Sequence, residues 1–317
     1  MNPLRSLIPE EWRASIRGFQ LELNHDCRNA VVLAGTGRSG TTWVSEFINY
    51  DNSYRDMFEP FHRLHAPHGS YFFYGLYMRP DSRDPDYLQA AGHVLTGRLH
   101  RHYSDRFNKR RISSRRLIKE VRANLWLNWL HRNFPGVPII FILRHPCAVA
   151  SSRVFMDWPS RLGQFLCQDE LTHDYLAPYV EEIRSARTPF ERHVFVWCIQ
   201  HYVPLRQFSA GQVHLMFYEE LCSKPRPTIS QMFSFLGRPF DHAVFGRLEM
   251  PSSMSRRDSA VARGQRNRLV DAWREHVSAS ELRRAVEILN LFGLDRVYNE
   301  DSMPDARVAN TILEQNA

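Results

Sequence analysis

Two glycines stand at the spacing of a phosphate cradle: Gly35 and Gly40 bracket Thr36-Gly37-Arg38-Ser39, and Thr41 and Thr42 follow directly. A loop of this kind turns backbone N–H groups and the positive end of the next helix toward an anion. Arg38 adds a cation, and Ser39, Thr41 and Thr42 add hydroxyl donors. A Walker-type loop would place Lys directly after Gly40, where this chain has Thr41. A magnesium-dependent kinase would also close a neighbouring apolar strand with a carboxylate, whereas the run Pro138 to Leu143 is closed by Arg144. An arginine there calls for a second phosphate rather than a metal ion. His62, His65 and His68 recur at every third residue, but Pro67 interrupts the backbone and no helical i, i+4 pair or nearby Cys completes a ligand set, so no metal is expected.

The elements that must carry these groups are legible as strand-length apolar runs alternating with helical periods, the pattern of an α/β fold with a P-loop-like central parallel sheet flanked by helices. Ala30-Val31-Val32-Leu33-Ala34 predicts a strand, residues 35–40 the glycine turn, and Thr41, Trp43, Val44, Phe47 and Ile48 a helix. A second unit runs from a strand at Arg116 to Val121 into a Trp-rich helix at Asn124 to Phe134, with Trp126, Trp129 and Leu130 on its apolar side. Pro138 to Leu143 is a continuous β-branched and aromatic run that suits a strand covered on both faces. Phe190 to Phe208 predicts a long helix, Val213 to Phe217 a strand, and Pro227 to Leu236 a helix closed by Gly237. The C-terminal portion is helical and basic. The stretch 62–115 lacks clear periodicity and reads as acceptor-side loops and short helices over the sheet's edge. Its aromatics Tyr71, Phe72, Phe73, Tyr74 and Tyr77 either form an acceptor platform or cover that edge. No linker or repeat divides the 317 residues, so a single domain spanning 1–317 is expected.

Lys and Arg number 41 against 34 Asp and Glu, a formal charge of +7, and all but Lys109, Lys119 and Lys224 of the cations are arginines. Guanidinium grips phosphate and sulfate through a planar fork, so an anionic ligand is favoured, although codon bias produces the same excess. The five cysteines, Cys27, Cys147, Cys167, Cys198 and Cys222, are widely spaced and fit reduced thiols, which excludes a disulfide scaffold or zinc ribbon. The longest apolar stretches, Ala30 to Ala34 and Val137 to Leu143, fall far short of the ~18 residues of a membrane span. The N-terminus has prolines and acids where a signal peptide would carry an apolar core.

With those elements in place, Gly35 to Trp43 (G-T-G-R-S-G-T-T-W) resembles the 5′-phosphosulfate loop of sulfotransferases that use 3′-phosphoadenosine 5′-phosphosulfate (PAPS), and Arg144 to Ser152 (R-H-P-C-A-V-A-S-S) resembles their 3′-phosphate motif. M-F-E-P-F-H (Met57 to His62), L-I-K-E-V-R (Leu117 to Arg122), M-F-Y-E-E-L (Met216 to Leu221) and W-R-E-H-V (Trp273 to Val277) follow in the family's order, so the resemblance covers about 30–300. The R-S-G-T-T loop and the E-P-F-H element are most similar to the carbohydrate branch. The resemblance implies that Gly37, Arg38, Ser39, Gly40, Thr41 and Thr42 form the 5′-phosphosulfate loop, with Trp43 stacking near adenine. Arg144 and Ser152 would bind the 3′-phosphate, and Tyr218 the adenine edge. Arg263, in a later basic loop set further from Trp273 than is usual, would add to the cofactor site.

Sulfuryl transfer needs one base near the acceptor hydroxyl and one cation near the bridging oxygen of the leaving bisphosphate. Lys119 lies at the place of the family's catalytic lysine, with Arg38 and Arg122 as helpers. Glu59 matches the family's acidic residue and is the expected base, with His62 the next candidate. No histidine follows Lys119 as it does in the aryl and steroid branch. The expected reaction is PAPS-dependent sulfation of a hydroxyl-bearing glycan or small molecule, without a required metal, nucleic acid or stable membrane anchor. Golgi relatives carry an anchor, so this chain is expected to be cytoplasmic. Two other readings stay open on the residues alone: a P-loop nucleotide kinase, which the missing lysine disfavours, and a basic nucleic-acid-binding protein, which a steep salt dependence would favour.

Overall fold

The computed structural model describes residues 20–62, 64, 71–250, 252–253 and 267–316. Five parallel strands form its central sheet: β1 (Ala30–Gly35), β2 (Arg55–Phe58), β3 (Arg116–Glu120), β4 (Ile139–Leu143) and β5 (His214–Phe217), in the order β2-β3-β1-β4-β5. The alternation of side chains divides β1 between two cores. Ala30, Val32 and Ala34 enter the larger one, and Val31 and Leu33 the smaller. Because both faces are covered, β1, β3 and β4 are buried along their whole length, and the apolar runs of β1 and β4 show no polar alternation.

The smaller core is closed by α1 (Thr41–Ile48), through Trp43, Val44, Phe47 and Ile48, and by a helix at Pro225–Phe235. The larger lies beneath α2 (Pro85–Leu95), α3 (Leu127–Asn133), α4 (Pro146–Phe155), α5 (Pro189–Gln207) and α6 (Ala279–Leu291). The expected Trp-rich helix begins with a 3-10 turn at Asn124–Trp126 before α3. The strands and helices expected around the glycine turn and across 190–237 are present to within two residues. No helix among the described residues is long and apolar enough to cross a membrane.

Strand β2 is the element the sequence did not announce. Its four residues, Arg-Asp-Met-Phe, include two charges, and tertiary partners hold it as an edge strand. Arg55 is fully buried: Nε donates to Asp105 Oδ1 at 2.7 Å, Nη2 to Asp105 Oδ2 at 2.9 Å, and Nη1 to Gly97 O at 2.7 Å. Asn108 pairs with the open edge as another strand would, its Oδ1 accepting from Asp56 N at 2.6 Å and its Nδ2 donating to Asp56 O at 3.2 Å. The segment 97–108 is thereby bolted onto β2. Helix α2 also escaped the apolar period, because two of its buried positions are the small Ala90 and Ala91.

Removing one partner of a buried pair strands the other charge, so Asp105→Ala should lose about 3–5 kcal/mol of unfolding free energy. Urea unfolding should show a lower midpoint at an unchanged slope. A loss near zero would mean that Arg55 finds solvent and does not anchor this segment.

Candidate active site

All five strands end on the same edge of the sheet, where an open α/β fold forms its binding crevice. The residues just beyond those ends are the glycine loop after β1, Glu59 after β2, Val121 and Arg122 after β3, Arg144 after β4 and Tyr218 after β5, with Lys119 near the end of β3. Gly37, Arg38 and Gly40 of that loop and all the other residues just named line one cavity of about 660 Å³.

The loop holds its shape by three devices. Gly40 caps α1 at φ 95°, and a Cβ there would lie 2.6 Å from Tyr218 Cδ2, so only glycine is accommodated. Arg38 adopts φ 80°, a conformation costing about 1–3 kcal/mol for a side chain of its kind, which turns the loop toward the cavity. From beneath, Arg153 of α4, only 2% exposed, donates from Nη2 to Gly37 O at 3.1 Å and also to Thr36 Oγ1. Thr36 Oγ1 in turn donates to Gln200 Oε1 of α5 at 2.7 Å. Above this clamp, the first N–H groups of α1 have no intrahelical acceptor and remain as anion donors.

Residues expected to act together do meet. Arg38 Nε donates to Ser152 Oγ at 2.9 Å, and Arg144 Nη1 donates to Arg38 O at 3.0 Å. The Arg144 guanidinium lies 4.1 Å from the centre of the Tyr218 ring, and Trp43 packs beside that ring at 6.1 Å. Trp43 Nε1 is buried without a hydrogen-bond partner among the described residues. Gly37, Thr41 and Thr42 line the cavity, whereas the Ser39 side chain points into the fold and is fully buried. Arg263 lies outside the described residues, as do His65 and His68.

On the β2–β3 side, Lys119 Nζ donates to Glu59 Oε1 at 3.0 Å and sits 3.9 Å over the Phe58 ring. The sheet ladder runs on into this pair, Glu59 N donating to Lys119 O at 2.8 Å. Glu59 is a second strained residue, at φ 42°. His62 is not among the cavity-lining residues; its ring lies 5.3 Å from that of Tyr103, centre to centre. The aromatic run divides: Tyr74 lines the cavity, while Phe72 is buried against Phe61 and Trp126, and Tyr77 donates to Asp174.

Sequence reasoning missed Arg153 and Glu120. Arg153 shares a helical face with the buried Pro146, Val149 and Ala150, and that period was the available signal. Glu120, fully buried behind Glu59, accepts from the backbone N–H groups of Phe61, Val121 and Arg122. Burial and the neighbouring Glu59 carboxylate push it up to about 7. Burial also depresses His193, which lines the cavity, to about 4, leaving it neutral at physiological pH.

The sulfotransferase domain family matches residues 28–287 of this chain. The chain is similar to the nodulation protein NoeE of Sinorhizobium fredii, with 23% identity over 304 residues that cover 88% of this chain and 68% of that protein. It is also similar to two solved structures. One is the sulfotransferase domain of the Synechococcus PCC 7002 olefin synthase, at 15% identity and TM-score 0.47, covering 86% of this chain and 95% of that one. The other is mouse sulfotransferase SULT7A1 complexed with PAP, at 16% identity and TM-score 0.41, covering 98% and 95%.

Glu120 gives the site a pH signature. Its folded pKa of about 7 lies above the ordinary 4.5, so between those values the folded protein keeps a proton that the unfolded chain has released. The associated stability is complete below the lower value and is lost as pH rises through the upper one. Urea titrations at pH 5 and pH 8 should show Glu120→Gln gaining stability relative to the wild type as pH rises, because the variant lacks that loss. Asp56 and Glu219, raised by burial to about 7 and about 6, act in the same direction in both proteins, and the buried His145, His193, His201 and His214, all depressed by burial, act in the opposite one, so the difference between variant and wild type is the readout. An unchanged pH slope in the variant would contradict the assignment.

Proposed function

The chain belongs to the sulfotransferase family, and on that premise we propose that it transfers the sulfuryl group of PAPS to a hydroxyl acceptor, with the donor over β1, β4 and β5. One observation carries the reading: Arg38, Arg144, Ser152 and Tyr218, drawn from four points of the chain, touch one another at the mouth of the glycine loop. Neither Arg144 nor Arg153 has a carboxylate in ion-pair contact among the described residues. Their unmatched charge suits a ligand with two phosphates.

In this reading the first turn of α1, with Arg38, Thr41 and Thr42, holds the 5′-phosphosulfate. Arg144 and Ser152 hold the 3′-phosphate, and Trp43 and Tyr218 flank adenine. The acceptor oxygen forms its bond to sulfur as the bond from sulfur to the 5′-phosphate oxygen breaks. The hydroxyl proton passes to Glu59, and the departing bisphosphate keeps the electron pair. Lys119, already held by Glu59 and the Phe58 ring, meets the charge growing on the bridging oxygen. Their ion pair fixes both side chains before substrate arrives, so the catalysis lies largely in positioning. His62, turned toward Tyr103, is the less suited base. The same proposal makes the acceptor a glycan or small molecule and places the enzyme in the cytoplasm, a reducing compartment in which its five cysteines, none of them in a disulfide, stay thiols.

Calorimetry with adenosine 3′,5′-bisphosphate (PAP) and adenosine 5′-phosphosulfate separates the two arginines. Arg144→Ala should weaken PAP by roughly 10- to 100-fold, the range for a lost charge-assisted bond, and leave the phosphosulfate nearly unaffected. Arg153→Met should weaken both, because it loosens the loop itself. Equal weakening of both ligands by Arg144→Ala would make that residue a scaffold for the loop and overturn its assignment to the 3′-phosphate.

A further inference from the structure

The cavity holds more positive charge than a PAPS molecule over β1, β4 and β5 needs. Two arginines stand on the opposite side, by β2 and β3. Arg106, exposed at the mouth, lies 4.1 Å over the Phe58 ring, 4.5 Å from the centre of Tyr103 and 4.8 Å from that of Phe107. Arg122, half-buried, sits 5.9 Å from the centre of the Tyr74 ring, and its Nε is buried with no hydrogen-bond partner. Neither guanidinium has a carboxylate in ion-pair contact among the described residues.

Their placement is specific to the reacting centre. Lys119 Nζ and Arg106 both lie over Phe58, so they are no further apart than the sum of their two distances to that ring. The segment bearing Arg106 is the one that Arg55 and Asp105 bolt to β2, so the guanidinium is borne by a fixed support. Aromatic faces hold a guanidinium flat without neutralising it, and its fork stays open for a planar anion. A side chain kept only for solubility has no need of such a mount, and the buried Arg122 Nε is costly unless a ligand satisfies it.

Resting on the sulfotransferase reading above, we infer that the acceptor is itself an anion: an alcohol with a carboxylate, sulfate or phosphate near its reactive hydroxyl. Arg106 and Arg122 hold that charge while Glu59 faces the hydroxyl. A neutral alcohol of the same shape would leave both guanidiniums unmatched beside Lys119, which disfavours it. The negative charge also fixes the register of a flexible acceptor, so that one hydroxyl among several reaches Glu59.

The test titrates D-glucuronate and D-glucose onto the full-length protein, with and without PAP, by saturation-transfer NMR. Glucose 6-sulfate and glucose 6-phosphate form further arms that distinguish the kind of anion. At least one charged sugar should bind about 10- to 100-fold tighter than glucose, the range of a charge-assisted contact, and that advantage should collapse in Arg106→Gln/Arg122→Gln. The ratio of charged to neutral sugar is the readout, since a general loosening of the fold would weaken both alike. Charged sugars binding no better than glucose would overturn the inference, as would a preference that survives the double substitution. Failure to bind PAP would count against the donor site alone, because the sugar comparison is read on nucleotide-free protein as well.

Discussion

Six arginines and a lysine face one cavity whose only described lining carboxylate is Glu59, so the cavity lining is strongly positive. Several arginines elsewhere in the chain are matched with acids: Arg55 with Asp105, Arg116 with Glu22, Arg79 with Asp174 and Arg238 with Asp51. Around the cavity Lys119 pairs with Glu59, whereas Arg106, Arg144 and Arg153 meet neutral groups among the described residues. Arg153 and Arg144 take the carbonyls of Gly37 and Arg38, Arg38 takes a serine hydroxyl, and Arg106, Arg144 and Lys119 lie on aromatic faces. Dipoles and ring faces orient a cation without cancelling it. Crowded like charges repel one another, and an anion in the cavity would relieve that repulsion.

The strand order then decides where each anion goes. Starting from β1, the chain fills β2 and β3 on one side before crossing to β4 and β5 on the other. Strands spaced ~4.8 Å apart put β2 and β5 about 19 Å from each other, room for a nucleotide and an acceptor end to end. The Lys119–Glu59 pair stands at the ends of β3 and β2, on the side proposed for the acceptor. Burial of Arg55 and Arg116 at the start of the same strands gives that end of the sheet a fixed frame.

Legibility followed the physical origin of each feature. The β1–loop–α1 unit and β4 were readable because buried parallel strands are continuous apolar runs and the glycine spacing is set by backbone geometry. Strand β2 was unreadable because a side-chain pair from Asp105 and the strand-like grip of Asn108 create it, and both are distant in sequence. Arg38, Glu59, Lys119, Arg144, Ser152 and Tyr218 were all marked by motif, and their convergence is a consequence of the parallel order. Arg153 was passed over since a charged residue on a helix reads as solvated, and only its period argued otherwise. Ser39 shows the opposite failure: inside a motif, its side chain still faces the interior.

A crystal structure of the protein with PAP tests this account most directly. The 3′-phosphate should lie within hydrogen-bond distance of Arg144 and Ser152, and the 5′-phosphate against the backbone N–H groups at the start of α1, with Arg106 and Arg122 still facing open space. A nucleotide lying the other way round, or with its phosphates on Arg106 and Arg122, would contradict the division of the cavity into a donor half and an acceptor half.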